Sequence, residues 1–193
     1  MRFFDILCVT VCSIYTAYFD HPDLQGLISI TTEYEVATAD GSDQSNLKAL
    51  SNLLHRIRLT FGMDCVFVSE FVEGRRVFRH VDCTDKETSM VKMGGSDSLE
   101  DTYCQRIVDG RLPLAISDTA ANNEANSLPI TKALEIGAYL SAPIVLASGD
   151  IFGTLCCFSK NTMPGLGGVA VDALAAIAKL ISSSIRGKKE SFI

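Results

Sequence analysis

Ala138-Tyr-Leu-Ser-Ala-Pro-Ile-Val-Leu-Ala-Ser-Gly-Asp-Ile-Phe-Gly-Thr-Leu-Cys-Cys-Phe158 sets two apolar runs on either side of Ala147-Ser-Gly-Asp150. Runs of that length around a short polar turn predict a β-hairpin. Pro143 cannot donate to a ladder, so it marks an edge or a bulge. A second hairpin is predicted upstream, where Cys65-Val-Phe-Val-Ser-Glu-Phe-Val72 and Val77-Phe-Arg-His-Val81 flank Glu73-Gly-Arg-Arg76. Working outward, Leu47, Leu50, Leu54, Ile57 and Phe61 recur at three- and four-residue spacing. That period predicts a helix over 46–61, capped by Asp43 or Ser45. Leu174, Ile177, Ile181 and Ile185 predict a last helix over 168–186 in the same way. Between the hairpins, Ser98-Leu-Glu-Asp101 fits a helix-start box, opening a short helix through Tyr103, Cys104 and Ile107 that stops at Gly110. Pro113-Leu-Ala-Ile-Ser-Asp118 reads as a short strand, and Pro129 as the start of a helix over 129–136. Residues 39–45 read as a linker and 84–98 as a loop. Hairpins mean antiparallel pairing, so the class is α+β, a single sheet with helices packed on it.

At 193 residues and 20.9 kDa the chain suits one domain plus an extension. Folding at this size removes about 70% of the extended chain's surface, which is enough for a real core. Apolar residues at 47% and charged residues at 21% exclude a wholly disordered, collagen-like or coiled-coil chain. The net charge of −6 leaves no global basic field to recruit nucleic acid. Most of the deficit is local, because residues 1–42 hold one base, Arg2, and six acids. Residues 6–19 form an apolar run of 14, short of the roughly 20 that a spanning helix needs. Asp20-His21-Pro22-Asp23 behind it is a poor cleavage site for export, so a buried strand or short core helix is expected there. Residues 1–44 are set apart as an N-terminal extension, and 45–193 as the domain. Seven irregularly spaced cysteines do not make a disulfide framework. They read as reduced thiols in a cytoplasmic protein.

Motifs for chemistry fail one after another. No two cysteines are spaced as CxxC, and Cys156 and Cys157 are neighbours on a strand, pointing to opposite faces. His21, His55 and His80 stand far apart, so no metal site is expected. Gly165-Leu-Gly-Gly-Val-Ala170 formally fits a dinucleotide fingerprint. That fold also needs a second parallel strand carrying an acid about 20 residues on, and the sequence shows none. A flexible turn at the start of the last helix is the better reading. Gly187-Lys188 follows a helix rather than opening one, so it is no Walker motif, and G-x-S-x-G is missing. Glu100 and Asp101, like Asp82, Asp85 and Glu87, look like caps and solvated loops. Arg75, Arg76, Arg79 and His80 cluster on one hairpin and read as its solvated, charged tip. The balance favours binding over catalysis.

The stretch Leu99-Glu-Asp-Thr-Tyr-Cys-Gln-Arg-Ile-Val-Asp-Gly-Arg-Leu-Pro-Leu-Ala-Ile-Ser-Asp118 resembles the middle of a GAF domain. So do Ile136-Gly-Ala-Tyr-Leu-Ser-Ala-Pro-Ile-Val-Leu146 and Gly149-Asp-Ile-Phe-Gly-Thr-Leu-Cys-Cys-Phe158, in the family's order and spacing. The resemblance spans roughly residues 45–186. It implies a six-stranded antiparallel sheet, helices on one face and a small-molecule pocket opposite. Members that hold a covalent bilin carry a Cys-His pair, whereas here Gln105 follows Cys104 and Thr84 follows Cys83. Members that bind cyclic nucleotides carry an Asn-Lys pair, which this sequence does not have. The free methionine-R-sulfoxide reductases carry several cysteines around the pocket, and Cys104 falls near one of their positions. The earlier thiol is replaced by Gly94 or Gly95, and the later one falls among residues 122–125, which hold no Cys.

The resemblance therefore implies a non-catalytic sensory domain for signal transduction, with an unknown ligand and no assigned cofactor. A reductase using Cys104 is the enzymatic alternative, and a dimerisation module with a collapsed pocket is the third. If the family geometry holds, Tyr103 and Cys104 face the sheet at Phe78, Tyr139 and Thr154, with Asp118 near the rim. Ordinary core packing is the competing reading for both tyrosines. Gly153 marks a close approach, either of a ligand or of packed backbone. The last helix offers Ala170, Ala173 and Ala176 beside its apolar stripe, and resembling domains dimerise through such terminal helices. A homodimer is expected, with a signalling effector protein as a possible further partner, no nucleic acid and no membrane span.

Overall fold

In a computed structural model of the chain, the described residues are 29, 31, 32, 34, 43–85 and 90–185. The apolar run at 6–19, the linker residues 39–42 and the basic residues 186–189 lie outside them. Helix α1, Asp43–Phe61, starts earlier than the spacing predicted, so residues 43–45 belong to the helix rather than the linker. Strands β1, Cys65–Val72, and β2, Arg75–Cys83, form the first hairpin. Its turn is only Glu73-Gly74, both with positive φ (49° and 73°). Two such residues in sequence are what a tight turn matched to strand twist requires.

A short strand β3, Ser96–Ser98, pairs with β2 inside the stretch expected to be a loop. Its residues lack β-branched or apolar character, so sequence pattern alone does not reveal it. The Arg75 side chain helps to hold it, donating to Ser96 Oγ at 3.0 Å. A 3-10 turn, Leu99–Asp101, then leads into α2, Tyr103–Val108. The side-chain cap of α2 is Thr102, whose oxygen accepts from the Gln105 amide, while Ser98 makes no such bond. Strand β4, Ala115–Ile116, is followed by two short helices, α3, Asn123–Ser127, and α4, Pro129–Ala133. Only α4 was marked by its proline; α3 is held at its start by the Asn122 side chain. Strands β5, Ala138–Val145, and β6, Ile151–Ser159, form the second hairpin, and α5, Gly168–Ser184, closes the domain.

The strands make one six-stranded sheet in the order β3-β2-β1-β6-β5-β4, antiparallel at every junction. Pro143 is tolerated because β4 reaches only Tyr139 and Leu140, so its missing donor faces no strand. The register also shifts next to it, between Ile144 and Val145. Both long helices pack on one face. Leu50, Leu53, Leu54 and Ile57 of α1 and Leu174, Ile177 and Ile181 of α5 meet Val66, Val68, Leu140, Ile144, Leu155 and Cys157. The opposite face, where the resemblance implies a pocket, is closed over by α2, α3 and α4. Period-2 alternation along β5 and β6 therefore makes each strand a shared wall. Tyr139, Cys156 and Phe158 point forward, and Leu140, Leu155 and Cys157 point back at the helices.

Two sequence readings need correction. Cys65 and Cys83 sit opposite each other on β1 and β2, with Cα atoms 4.0 Å apart, and form a disulfide. They are therefore not the free thiols expected from irregular spacing, because strand pairing brings distant cysteines together in a way that spacing does not show. Arg76 and His80 are buried rather than solvated. Arg79 has no partner residue in the backbone ladder, although its side chain pairs with Glu70 of β1, and the register shift there leaves Arg76 and Phe78 on the front face. No helix among the described residues is long and apolar enough to cross a membrane.

Candidate functional site

The front face carries a polar knot inside an apolar layer. Its centre is Arg76, whose residue is 2% exposed. The guanidinium lies 4.7 Å from the Phe78 ring centroid and 5.4 Å from that of Phe67. Its Nε donates to Asp97 Oδ1 at 2.9 Å, and Nη2 pairs with Oδ2 of the same carboxylate. The third nitrogen, Nη1, reaches Cys104 Sγ at 3.4 Å. Burying a charge is costly unless it is paired, and here two anionic partners and two ring faces surround it.

Cys104 is the hub. Thr154 Oγ1 donates to its sulfur at 3.1 Å, Cys156 Sγ lies 3.7 Å away, and Tyr139 Oη lies 3.7 Å away. Cys156 in turn contacts Thr154 Oγ1 at 3.1 Å and Ser141 Oγ at 3.2 Å. Ser69 joins from β1, with its Oγ 2.9 Å from Thr154 Oγ1. Burial alone would raise the Cys104 thiol. The hydrogen bond from Cys156, the charge of Arg76 and the bond from Thr154 overcome that and hold it well below the ordinary thiol value. Burial, the bond with Cys104 and the charge on it push Cys156 the other way, well above that value. Tyr139 is likewise raised by burial and by both sulfurs. Of the two sulfurs in contact, Cys104 is the one on which negative charge is favoured.

That asymmetry has a measurable sign. Because the folded value of Cys104 is depressed, its thiolate stabilises the fold in full above the unfolded thiol value, about 8.5. The contribution is lost as pH falls through the folded value. The thiolate band in the far ultraviolet should therefore rise at lower pH in the folded protein than in the unfolded chain, and that early rise should vanish in Cys104→Ser. A band that appears only above the ordinary thiol range would contradict the Arg76 contact.

Five of the six residues singled out from sequence come together here. Tyr103 and Tyr139 stack with centroids 4.2 Å apart, and Phe78, Cys104 and Thr154 complete the group. Tyr103 Oη is tied to Thr131 Oγ1 at 2.6 Å. Asp118 is engaged elsewhere: its Oδ1 accepts from the Ala120 amide and shapes the turn after β4. Arg76, Asp97, Ser141 and Cys156 were missed as site residues. The signal for Arg76 was its sharing a strand face with Phe78; Cys156 is 52 residues from Cys104 and gave none. The side chains fill the site themselves, since both stacked tyrosines are 1% exposed. A cavity of about 140 Å³ lies at another place, between the Cys65–Cys83 pair and the ion pair of Glu135 with Lys160. Among the described residues no cluster of His, Cys, Asp and Glu could hold a metal ion.

Two long helices behind a six-stranded antiparallel sheet, with a capped polar site in front, define an α+β single-sheet domain. The sequence model for the GAF domain matches residues 45–185, and the chain belongs to that family, whose members serve as sensory domains in signalling proteins. No curated protein matches the chain. Among solved structures, the phycocyanobilin-bound GAF domain of a cyanobacterial phytochrome superposes with a TM-score of 0.68 at 12% identity, covering 82% of this chain and 93% of that one. The GAF domain of an Acinetobacter phosphoenolpyruvate-protein phosphotransferase gives 0.63 at 15% identity, covering 83% and 90%. Such identities carry the fold alone.

Proposed function

We propose that this domain is a non-catalytic sensor that takes a small organic molecule on the front face of the sheet and reports it through α1 and α5. The supporting observation is the polar knot of Arg76, Cys104, Tyr139 and Thr154, buried in an otherwise apolar layer. Polar groups converging among aromatics suit recognition of a small ligand. Phe78, Tyr103, Cys104, Tyr139 and Thr154 form its wall, and entry requires α2 to lift from the sheet. β6 carries the signal, because Thr154 and Cys156 face the site while Leu155 and Cys157 bear on the helices. Native mass spectrometry of the purified protein should reveal a co-purifying molecule that Tyr139→Ala releases. A second reading, a dimerisation module with a filled pocket, is favoured by the closed Tyr103–Tyr139 stack. It gains the field if no mass is carried and no small molecule shifts the melting temperature.

Assembly belongs to the same proposal. Leu47 and Leu59 of α1 and Val169 of α5 are exposed apolar residues on the two terminal helices. Ala170 and Ala173 are half-buried against the domain's own core, which leaves Ala176 as the exposed part of the alanine stripe. A two-fold bundle through α1 and α5 would cover these residues and present a composite surface to an effector protein. Light scattering should report twice 20.9 kDa at micromolar concentration. A mass that stays at the monomer value as concentration rises would exclude the bundle.

A further inference from the structure

We propose that Cys104 and Cys156 form a peroxide-reactive dithiol that closes to a disulfide between α2 and β6. The inference is independent of the small-molecule reading. It rests first on distance, since the sulfurs are 3.7 Å apart and come from a helix and a strand 52 residues apart. A disulfide bond is about 2 Å long, so a modest shift of the six-residue α2 toward the sheet closes it. It rests next on chemistry, because thiolates and not thiols attack peroxides, and Arg76 Nη1 stands 3.4 Å from Cys104 Sγ. Cys157 is the built-in contrast. It follows Cys156 directly but faces the helix core, and burial raises its thiol.

Access is the third point. Both sulfurs are fully buried, which excludes bulky disulfides and thiol reagents. The Asp97 side chain is 32% exposed and holds the guanidinium that touches Cys104. This chain of polar groups leads from the surface to the sulfur and suits an oxidant the size of hydrogen peroxide. The Cys104 thiolate attacks one peroxide oxygen: an S–O bond forms, the O–O bond breaks, and the departing hydroxide takes a proton to become water. The sulfur has lost two electrons and is a sulfenic acid. Cys156 then attacks it: an S–S bond forms, the S–O bond breaks, and the hydroxide leaves with the thiol proton as a second water. Two thiols and one peroxide give one disulfide and two waters.

The test treats the reduced full chain with hydrogen peroxide, removes the peroxide, unfolds the chain in guanidinium chloride with N-ethylmaleimide so that buried free thiols are blocked, and digests it with trypsin without reduction. The expected product links peptide 93–106 to peptide 133–160, carries one N-ethylmaleimide on Cys157 and is otherwise lighter by two hydrogens than the two free peptides. It should form equally in Cys157→Ser and open with dithiothreitol. In Cys156→Ser the reaction should stop at a Cys104 sulfenic acid that dimedone traps. Arg76→Met should slow oxidation about tenfold or more, by returning Cys104 toward an ordinary thiol. Recovery of Cys104 and Cys156 as their N-ethylmaleimide adducts after peroxide would overturn the proposal. So would a link lost in Cys157→Ser, or one forming as fast in Arg76→Met as in the native chain.

Discussion

Gly153→Ala should leave the domain unfolded or molten at room temperature. A Cβ at this position would lie 1.9 Å from the Ser69 carbonyl oxygen, 2.7 Å from the Ser69 carbonyl carbon and 2.9 Å from Glu70 Cα. All three are backbone atoms of β1, so no rotamer change relieves the overlap. The strands must separate instead. They are the two central strands of the sheet, and the Ser69–Thr154 hydroxyl bond sits beside the clash. Losing that pairing costs more than about 4 kcal/mol, in the range reserved for severe lesions. A domain of this size has only about 5–15 kcal/mol in total. Gly168→Ala is the matched control, because nothing stands within 4 Å of its Cβ. It should change stability by less than about 1 kcal/mol, and in the favourable direction if at all. Urea titrations followed by circular dichroism give both numbers. A Gly153→Ala midpoint near that of the native chain would mean that β1 and β6 are not packed as described.

The same glycine shows where sequence reading succeeds and where it stops. Gly153 was legible as a close approach but not as one of backbone, because the partner strand lies 83 residues away and only the sheet order joins them. The hairpins and long helices were legible because their periods are sustained over many residues. Strand β3 was not, since Ser-Asp-Ser has no period to read and exists through its pairing with β2. The opposite facing of Cys156 and Cys157 followed from strand geometry, and the structure bears it out. The disulfide of Cys65 and Cys83 did not follow, because register between two strands is a tertiary property. Arg76 is the instructive miss. Charge near a turn argues for solvent, and that local argument loses to a tertiary one in which Asp97, Cys104 and two phenylalanine rings replace water.

That replacement makes a strong non-additive effect between two mild substitutions. The Arg76 guanidinium cannot reach water, so it needs an anion inside the fold, and it has two, Asp97 and Cys104. Asp97→Asn alone leaves the thiolate in place, and Cys104→Ser alone leaves the carboxylate. Each should cost about 1.5–3 kcal/mol, the value of a hydrogen bond to a charged group. With both changed, the buried cation has no counterion, and the loss should exceed the sum of the two single costs. The excess over the sum is the coupling that a double-mutant cycle reads, about 0.5–3 kcal/mol for groups in contact. Acid should mimic the second substitution. As pH falls through the folded value of Cys104 the thiolate is protonated, so Asp97→Asn should lose stability on acidification more steeply than the native chain. Arg76→Met removes the need for any anion: Cys104 becomes a neutral thiol, and the partly exposed Asp97 turns to solvent. In that background the two substitutions should add with no excess, whereas a coupling that survives Arg76→Met would assign the effect to something other than the buried guanidinium.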